Sequence, residues 1–273
     1  MTGAPDPAAG RAAAAGDDGA DRDGSTAAGG LTGQVAVVSG AVGGLGAAWC
    51  GALRRAGATV VGFDIRPGCE AIADASDPDQ VQALVDRVVD EYGGIDISVA
   101  NAGRFSLTSP LDPWAKALTD FDEQVGTNLK GVFLLGRAVA PAMVARGGGH
   151  IVNVSTDHVL RPPGVPTGGG PAMDVYDASK WAIRGLTESW AAALRPHGVR
   201  VNELCMGATD TDMLRGFLGD RATPDVVATW MRADDLAEVL IALLLEGPEG
   251  RTGEQIGLWV GHPLRLPPRS ARP

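Results

Sequence analysis

From Gln34 to Asp64 the chain runs through an apolar stretch, Gln34-Val35-Ala36-Val37-Val38, into Ser39-Gly40-Ala41-Val42-Gly43-Gly44-Leu45-Gly46 and then a helical segment. A second apolar run, Thr59-Val60-Val61-Gly62-Phe63, follows and ends on Asp64. Two short apolar runs flanking a helix predict a buried parallel βαβ unit, because parallel strands need a crossover and are covered on both faces. The glycine-rich turn between the first strand and the helix reads as a phosphate cradle. Gly40 can make the tight turn, Gly43, Gly44 and Leu45 bring backbone up to a pyrophosphate, and Gly46 permits close helix packing, with helix N–H groups facing the anion. Asp64, 18 residues beyond Gly46, stands where a dinucleotide-binding fold holds the adenosine ribose hydroxyls; alternatively it opens the next loop.

The rest of the chain repeats this alternation. Strands are predicted at 35 to 39, 59 to 63, 70 to 73, 95 to 100, 149 to 155, 199 to 204 and 255 to 260. Helices are predicted at 44 to 57, 77 to 92, 114 to 145, 175 to 195 and 233 to 246. The expected fold is α/β: a single-domain, Rossmann-type, doubly wound parallel sheet of about seven strands with helices on both faces. Residues 31–262 would form this domain. Residues 1–30, almost free of large apolar side chains, cannot bury enough surface to fold and are expected to be disordered. The Pro- and Arg-rich residues 263–273 are expected to fray or to wrap a neighbouring subunit.

Tyr176-Asp177-Ala178-Ser179-Lys180 places a phenol and an ammonium four residues apart, on one face of the predicted helix. A tyrosine with a pKa near ~10 is a poor proton acceptor at neutral pH unless a positive charge stabilises its phenolate. Lys180 is placed to supply that charge; a drop of about three units needs roughly 4 kcal/mol of differential stabilisation. On its own the pair could equally sit on an ordinary amphipathic helix.

Together these motifs make the chain resemble a classical short-chain dehydrogenase/reductase from residue 31 to about residue 260. The family's Thr-Gly-x-x-x-Gly-x-Gly stands here as Ser39-Gly40 through Gly46, and its Asn-Asn-Ala-Gly as Ala100-Asn101-Ala102-Gly103. Its helix asparagine falls on Asn128, 27 residues after Asn101. By this resemblance Tyr176 and Lys180 are the catalytic pair and also contact the cofactor, and Asn128 maintains a water path from Lys180 to solvent. Asp74 and Ala75 would line the adenine, Asn101, Ala102 and Gly103 would pass along the cofactor, and Gly207, Thr209 and Thr211 would hold the nicotinamide carboxamide.

Two departures from the family pattern stand out. The strand before the catalytic helix ends in Ser155-Thr156 where two serines are usual, so register assigns the substrate-orienting hydroxyl to Thr156, with Ser155 as the alternative. Threonine keeps the hydroxyl but adds a methyl that restricts its rotamers. Met206 replaces a proline, releasing a fixed φ before the nicotinamide segment. In addition, residues 161–171 form a Pro/Gly-rich insertion beside the catalytic tyrosine that can be neither helix nor central strand. It makes Asp157, His158 and Arg161 candidates for substrate contact, although a lone histidine is also an ordinary loop side chain.

Charge argues for the cofactor. Asp64 would accept hydrogen bonds from both ribose hydroxyls of NAD and repel the extra phosphate of NADP; Arg66, two residues on, is the dissenting group. The balance of 33 acidic against 23 basic residues argues against a nucleic-acid surface. No apolar run was expected to reach membrane-spanning length. Three widely spaced cysteines read as reduced packing residues of a cytoplasmic protein, and four scattered histidines imply no metal site. The expected activity is NAD-dependent hydride transfer interconverting a secondary alcohol and a ketone, in a homodimer or homotetramer. Alternatives are an NADP-dependent carbonyl reductase on the same scaffold and a non-catalytic dinucleotide sensor.

Overall fold

The computed structural model describes residues 30–160 and 172–269. Seven parallel strands form one sheet in the order β3-β2-β1-β4-β5-β6-β7. They are β1 (Val35–Ser39), β2 (Thr59–Asp64), β3 (Ala71–Ile72), β4 (Ile97–Ala100), β5 (Gly149–Thr156), β6 (Val199–Met206) and β7 (Gln255–Leu258). The order reverses between β1 and β4, so the connections leave those strands in opposite directions and open a crevice at their carboxyl ends.

Strand alternation divides the core into two layers. Ala36, Val38, Val152, Val154, Leu204 and Ile256 pack against α1 (Gly44–Arg55) and α8 (Ala233–Leu244). Val35, Val37, Ile151, Val199 and Val201 pack on the other side, against α2 (Pro78–Tyr92), α4 (Gly131–Arg146) and α5 (Asp174–Leu194). The helix α2 shows how local sequence sets an element boundary. Asp77 caps it by accepting from the backbone N–H groups of Asp79 and Gln80, Pro78 occupies the first turn, and Gly93 ends it at φ +79°.

Several boundaries differ from expectation. The long helix predicted at 114 to 145 is α3 (Trp114–Val125), a π-helical turn at Gly126–Lys130, and α4. This stretch, Trp114–Arg146, is long and apolar enough by length and composition to cross a membrane, which corrects the expectation that no run reaches that length. Its α4 half nevertheless buries Val132, Leu135, Val139 and Met143 in the sheet core. β3 and β7 are shorter than predicted. The segment after β6 contains α6 (Asp212–Leu218) and α7 (Pro224–Val227), started by Thr211 and Thr223 side chains that accept from backbone N–H groups. The tail is also different as far as Arg269, since it lies on its own chain rather than fraying. Arg251, almost fully buried, pairs with Glu246 at 2.7 Å and donates to the Pro267 carbonyl at 2.9 Å, while Leu264 and Leu266 pack on the core. Residues 1–29, the 161–171 insertion with Arg161, and residues 270–273 lie outside the described residues.

Candidate active site

A cleft of about 920 Å³ lies along the carboxyl ends of the strands. The glycine loop, Asp64, Asp74, Ala75, the Asn101–Gly103 turn, Thr156, Asp157, His158, Tyr176, Lys180, Gly207, Thr209 and Thr211 all line it. Asn128 does not; it is fully buried behind the cleft.

The crevice end is stitched by side chains. Ser39 Oγ accepts the backbone N–H groups of Asn101 and Ala102 at 2.9 Å each, and Asn101 Nδ2 donates to the carbonyls of Ser39 and Gly40 at 3.0 and 3.1 Å. Gly40 takes φ +67°, a left-handed conformation that favours glycine. A Cβ on Gly46 would overlap the Gly40 carbonyl and come within 2.9 Å of Asn101 Nδ2, so this glycine lets α1 start directly on the Gly40 peptide. The first turn of α1 carries neither a side-chain cap nor an acidic residue, leaving its N–H groups and dipole free for an anion.

At the far end of the loop, Asp64 is buried and accepts from the Val42 N–H at 3.2 Å, the Arg66 N–H at 3.0 Å and the Arg66 guanidinium at 3.2 and 3.3 Å. Burial works to raise its pKa, but the Arg66 bonds outweigh it and hold the carboxylate below its usual value. Glycine cradle, uncapped helix and buried carboxylate fit a dinucleotide.

The second half of the cleft holds the reactive groups. Tyr176, on the first turn of α5, lines the cleft together with Thr156 at the end of β5. Ser155 instead points under α5, where its hydroxyl has no completed hydrogen bond. Both residues border the cleft, and strand alternation turns their side chains to opposite sides of the sheet. Phe105 meets the Tyr176 ring edge-on at 5.0 Å between centroids and meets Phe217 of α6 at 4.8 Å, an aromatic wall the sequence reading did not anticipate. His158 Nδ1 lies 2.8 Å from Asp177 Oδ1, and the His158 ring is 6.3 Å from that of Tyr176.

Tyr176 stands above its ordinary pKa in this cleft. Burial, then the charges of Asp177 and Asp157, push the phenol above its ordinary value. The Lys180 ammonium is drawn inward, donating to the Val154 carbonyl at 3.0 Å, and sits 5.8 Å from the phenol ring centre. Burial lowers its own pKa to about 8, opposed mainly by Glu203. Asp157 is raised by burial.

In the π-helical turn Asn128 Oδ1 accepts the Arg104 N–H at 2.7 Å, while its Nδ2 donates to the Arg104 carbonyl at 2.9 Å and to Ser179 Oγ at 3.2 Å. Ser179 Oγ in turn donates to the Tyr176 carbonyl at 2.7 Å. Asn128 thus ties the loop after β4 to the turn that carries Tyr176. Thr209 Oγ1 bonds the Gly207 carbonyl at 3.0 Å, and the Thr211 methyl lies 3.2 Å from where a Gly44 Cβ would sit.

Residues 34–221 match the family model for short chain dehydrogenases. The chain belongs to the short-chain dehydrogenase/reductase family. It is 30% identical over 249 residues to the 3-oxoacyl-(acyl-carrier-protein) reductase FabG of Thermotoga maritima, covering 84% of this chain and 97% of that protein. To the 3-alpha-(or 20-beta)-hydroxysteroid dehydrogenase of Mycobacterium tuberculosis it is 37% identical over 196 residues, 67% of this chain and 72% of that one. The crystal structure of the Brucella melitensis 3-ketoacyl-(acyl-carrier-protein) reductase complexed with NADH superimposes with a TM-score of 0.71 at 26% identity, covering 85% of this chain and 98% of that one. As a short-chain dehydrogenase/reductase the chain is an oxidoreductase that uses a nicotinamide dinucleotide.

Proposed function

We propose that this short-chain dehydrogenase/reductase is an NAD-dependent enzyme interconverting a secondary alcohol and a ketone. The observation that carries the reading is that Thr156, Tyr176 and the buried Lys180 line one cleft, with the Lys180 ammonium 5.8 Å from the phenol ring centre. In it, Thr156 Oγ1 orients the substrate oxygen and Tyr176 Oη moves the proton to or from that oxygen. Lys180 supplies the positive charge behind the phenol, and Asn128 fixes the turn bearing Tyr176. The bound nicotinamide supplies or accepts the hydride and, when oxidised, brings a positive charge to the cleft. Phe105, Met173, Met213, Leu214 and Phe217 line the outer cleft, which favours a substrate with an apolar skeleton. Asp157 and His158 are placed to contact its polar end.

NAD is favoured because Asp64 is buried, ionised and held rigidly at the end of β2. The rival, NADP, is favoured by Arg66, whose guanidinium is 52% exposed and lies 3.4 Å from where a Gly43 Cβ would sit. Calorimetric titration decides between them. NAD should bind at least about tenfold tighter than NADP, and Asp64→Asn should narrow that ratio by a similar factor through loss of the charge. Tighter NADP binding by the unaltered chain would refute the argument from Asp64.

We further propose a homodimer or homotetramer in the cytoplasm, with neither nucleic-acid nor membrane partners. Trp114, Leu118, Phe121 and Phe133 of α3 and α4 and Trp181 of α5 are exposed, and large apolar side chains left to solvent on these helices support an interface between copies. Light scattering should report two or four copies, and Trp114→Lys should shift the population towards monomer.

A further inference from the structure

Tyr176 stands on the first turn of α5, and the residue before that helix gives it no cap. Met173 makes no side-chain hydrogen bond to the helix start, so the first N–H groups find partners elsewhere. Asp174 Oδ1 accepts the Val175 N–H at 2.8 Å from within the turn. The other partner comes from 67 residues upstream, where Thr108 Oγ1 accepts the same N–H at 3.2 Å.

Thr108 lies in the loop after β4 and is 3% exposed, although Leu107 and Leu111 of that loop are open to solvent. Its hydroxyl spends both of its capacities on α5, accepting from Val175 and donating to Asp174 Oδ1. Its backbone N–H donates to the Ala172 carbonyl at 3.0 Å, and it forms an isolated parallel bridge with Met173. Ala172 is the first described residue after the 161–171 insertion, so these bonds grip the chain where it enters the catalytic helix.

The same loop reaches Tyr176 from two further directions. Phe105 packs edge-on against the phenol ring. Asn128 joins the Arg104 backbone to Ser179, whose hydroxyl donates to the Tyr176 carbonyl. One helical turn is thus fastened to one loop at both ends, by Thr108 just before the tyrosine and by Asn128 just after it. Thr108 does not line the cleft, so its influence on chemistry passes through the helix.

We propose that Thr108 is a positioning residue for Tyr176, whose hydroxyl caps α5 from the loop after β4 and so fixes where the phenol stands in the cleft. The inference rests on the dehydrogenase reading for the phenol's role, but its first test needs neither cofactor nor substrate. Thr108→Val keeps the side chain's shape and removes its donor and acceptor. Hydrogen exchange at the Val175 amide should become about fivefold faster, the factor for a lost helix cap, while the amides of β4 and β5 keep their rates. Thr108→Ser restores both bonds and should restore the slow exchange. Asp174→Ala breaks the pair from the exposed helix side and replaces the valine variant if that fails to fold. Exchange at Val175 that stays as slow as in the unaltered protein overturns the proposal.

Turnover separates positioning from mere support. With cyclohexanol and NAD as probes, Thr108→Val should lower kcat by about 10- to 100-fold, the loss for a misplacement near ~1 Å. KM and the dissociation constant for NAD should stay within about threefold, and Thr108→Ser should recover the rate. In a Tyr176→Phe background the valine substitution should cost nothing further, because the group it positions is gone. Unchanged kcat despite faster exchange, or an equal loss in both backgrounds, overturns the positioning role. Retained turnover in Tyr176→Phe would instead sink the dehydrogenase reading, with the exchange result left standing.

Discussion

Tyr176→Phe is expected to lower turnover by about 10³-fold, the range over which a positioned general acid or base contributes, while the dissociation constant for NAD changes by less than about threefold. The substitution removes one oxygen and keeps the ring. Its edge-on contact with Phe105 survives, and Phe105 still packs on Phe217, so the cleft wall stays in place. Loss of the hydroxyl should cost at most about 1 kcal/mol of stability. Chemistry is hit far harder because no neighbour reproduces the phenol's position: His158 is turned towards Asp177 at 2.8 Å, and the Lys180 ammonium points at the Val154 carbonyl. Stopped-flow measurement of the hydride step, alongside calorimetric binding of NAD, separates the two effects. Turnover within tenfold of the unaltered enzyme would mean that another group moves the proton, and Asp157, raised by burial in the same cleft, would be the first to replace.

Gly46→Ala is expected to destabilise the domain by about 3 kcal/mol, at the upper end of ordinary overpacking, and to abolish measurable NAD binding. The methyl would land on the Gly40 carbonyl, with the carbonyl carbon at 2.8 Å and Asn101 Nδ2 at 2.9 Å. Those neighbours are backbone and a doubly bonded side chain, and neither can swing away. Relief requires α1 to back off from β1, which moves the free N–H groups of its first turn away from the phosphate position. Gly51→Ala is the matched control on the same helix. Its Cβ would meet only the end of the Arg55 side chain, at 3.4 Å, so removing a helix glycine there should be neutral or stabilise by up to about 1 kcal/mol. Urea unfolding of the two variants, with NAD titration of each, tests the contrast; equal stabilities would show that the loop tolerates the methyl.

The clash at Gly46 also shows how a motif acquires meaning in three dimensions. Its spacing from Gly40 and Asp64 is visible in one dimension and already predicts a phosphate-binding turn. That the two glycines face each other across a single peptide, with Asn101 clamped to the same carbonyl, appears only when β1 and β4 lie side by side. Thr156 behaves similarly. Strand register, read from the chain, already assigns the substrate-orienting hydroxyl to Thr156 with Ser155 as the alternative, and the fold adds that Thr156 lines the same cleft as the phenol.

Other features lay beyond any local reading. The π-helical turn that buries Asn128 has no counterpart in the expected single helix over 114 to 145, and Asn128 there bonds Arg104 and Ser179, 24 and 51 residues away in sequence. The elevated phenol of Tyr176 could not be anticipated from Lys180 at i+4, because spacing fixes which face a side chain occupies but not which acceptor its end group finds. Lys180 found the Val154 carbonyl. Glu203 offered a faint signal, a lone acid in the apolar run of β6, but that it would be fully buried depended on the packing around β6.

What the sequence alone determined was the order and type of the elements, the parallel doubly wound sheet, and the stations of the glycine turn, Asp64, Tyr176 and Lys180. These follow from hydrophobic periodicity and from residues with singular backbone or chemical properties, all of which act over a few neighbours. The tertiary structure decided which residues line the cleft beside the phenol, which carbonyl the lysine's end group finds, and which polar side chains lie buried in the core. Those outcomes depend on distances between strands and helices far apart in the chain, and on how much water their packing excludes.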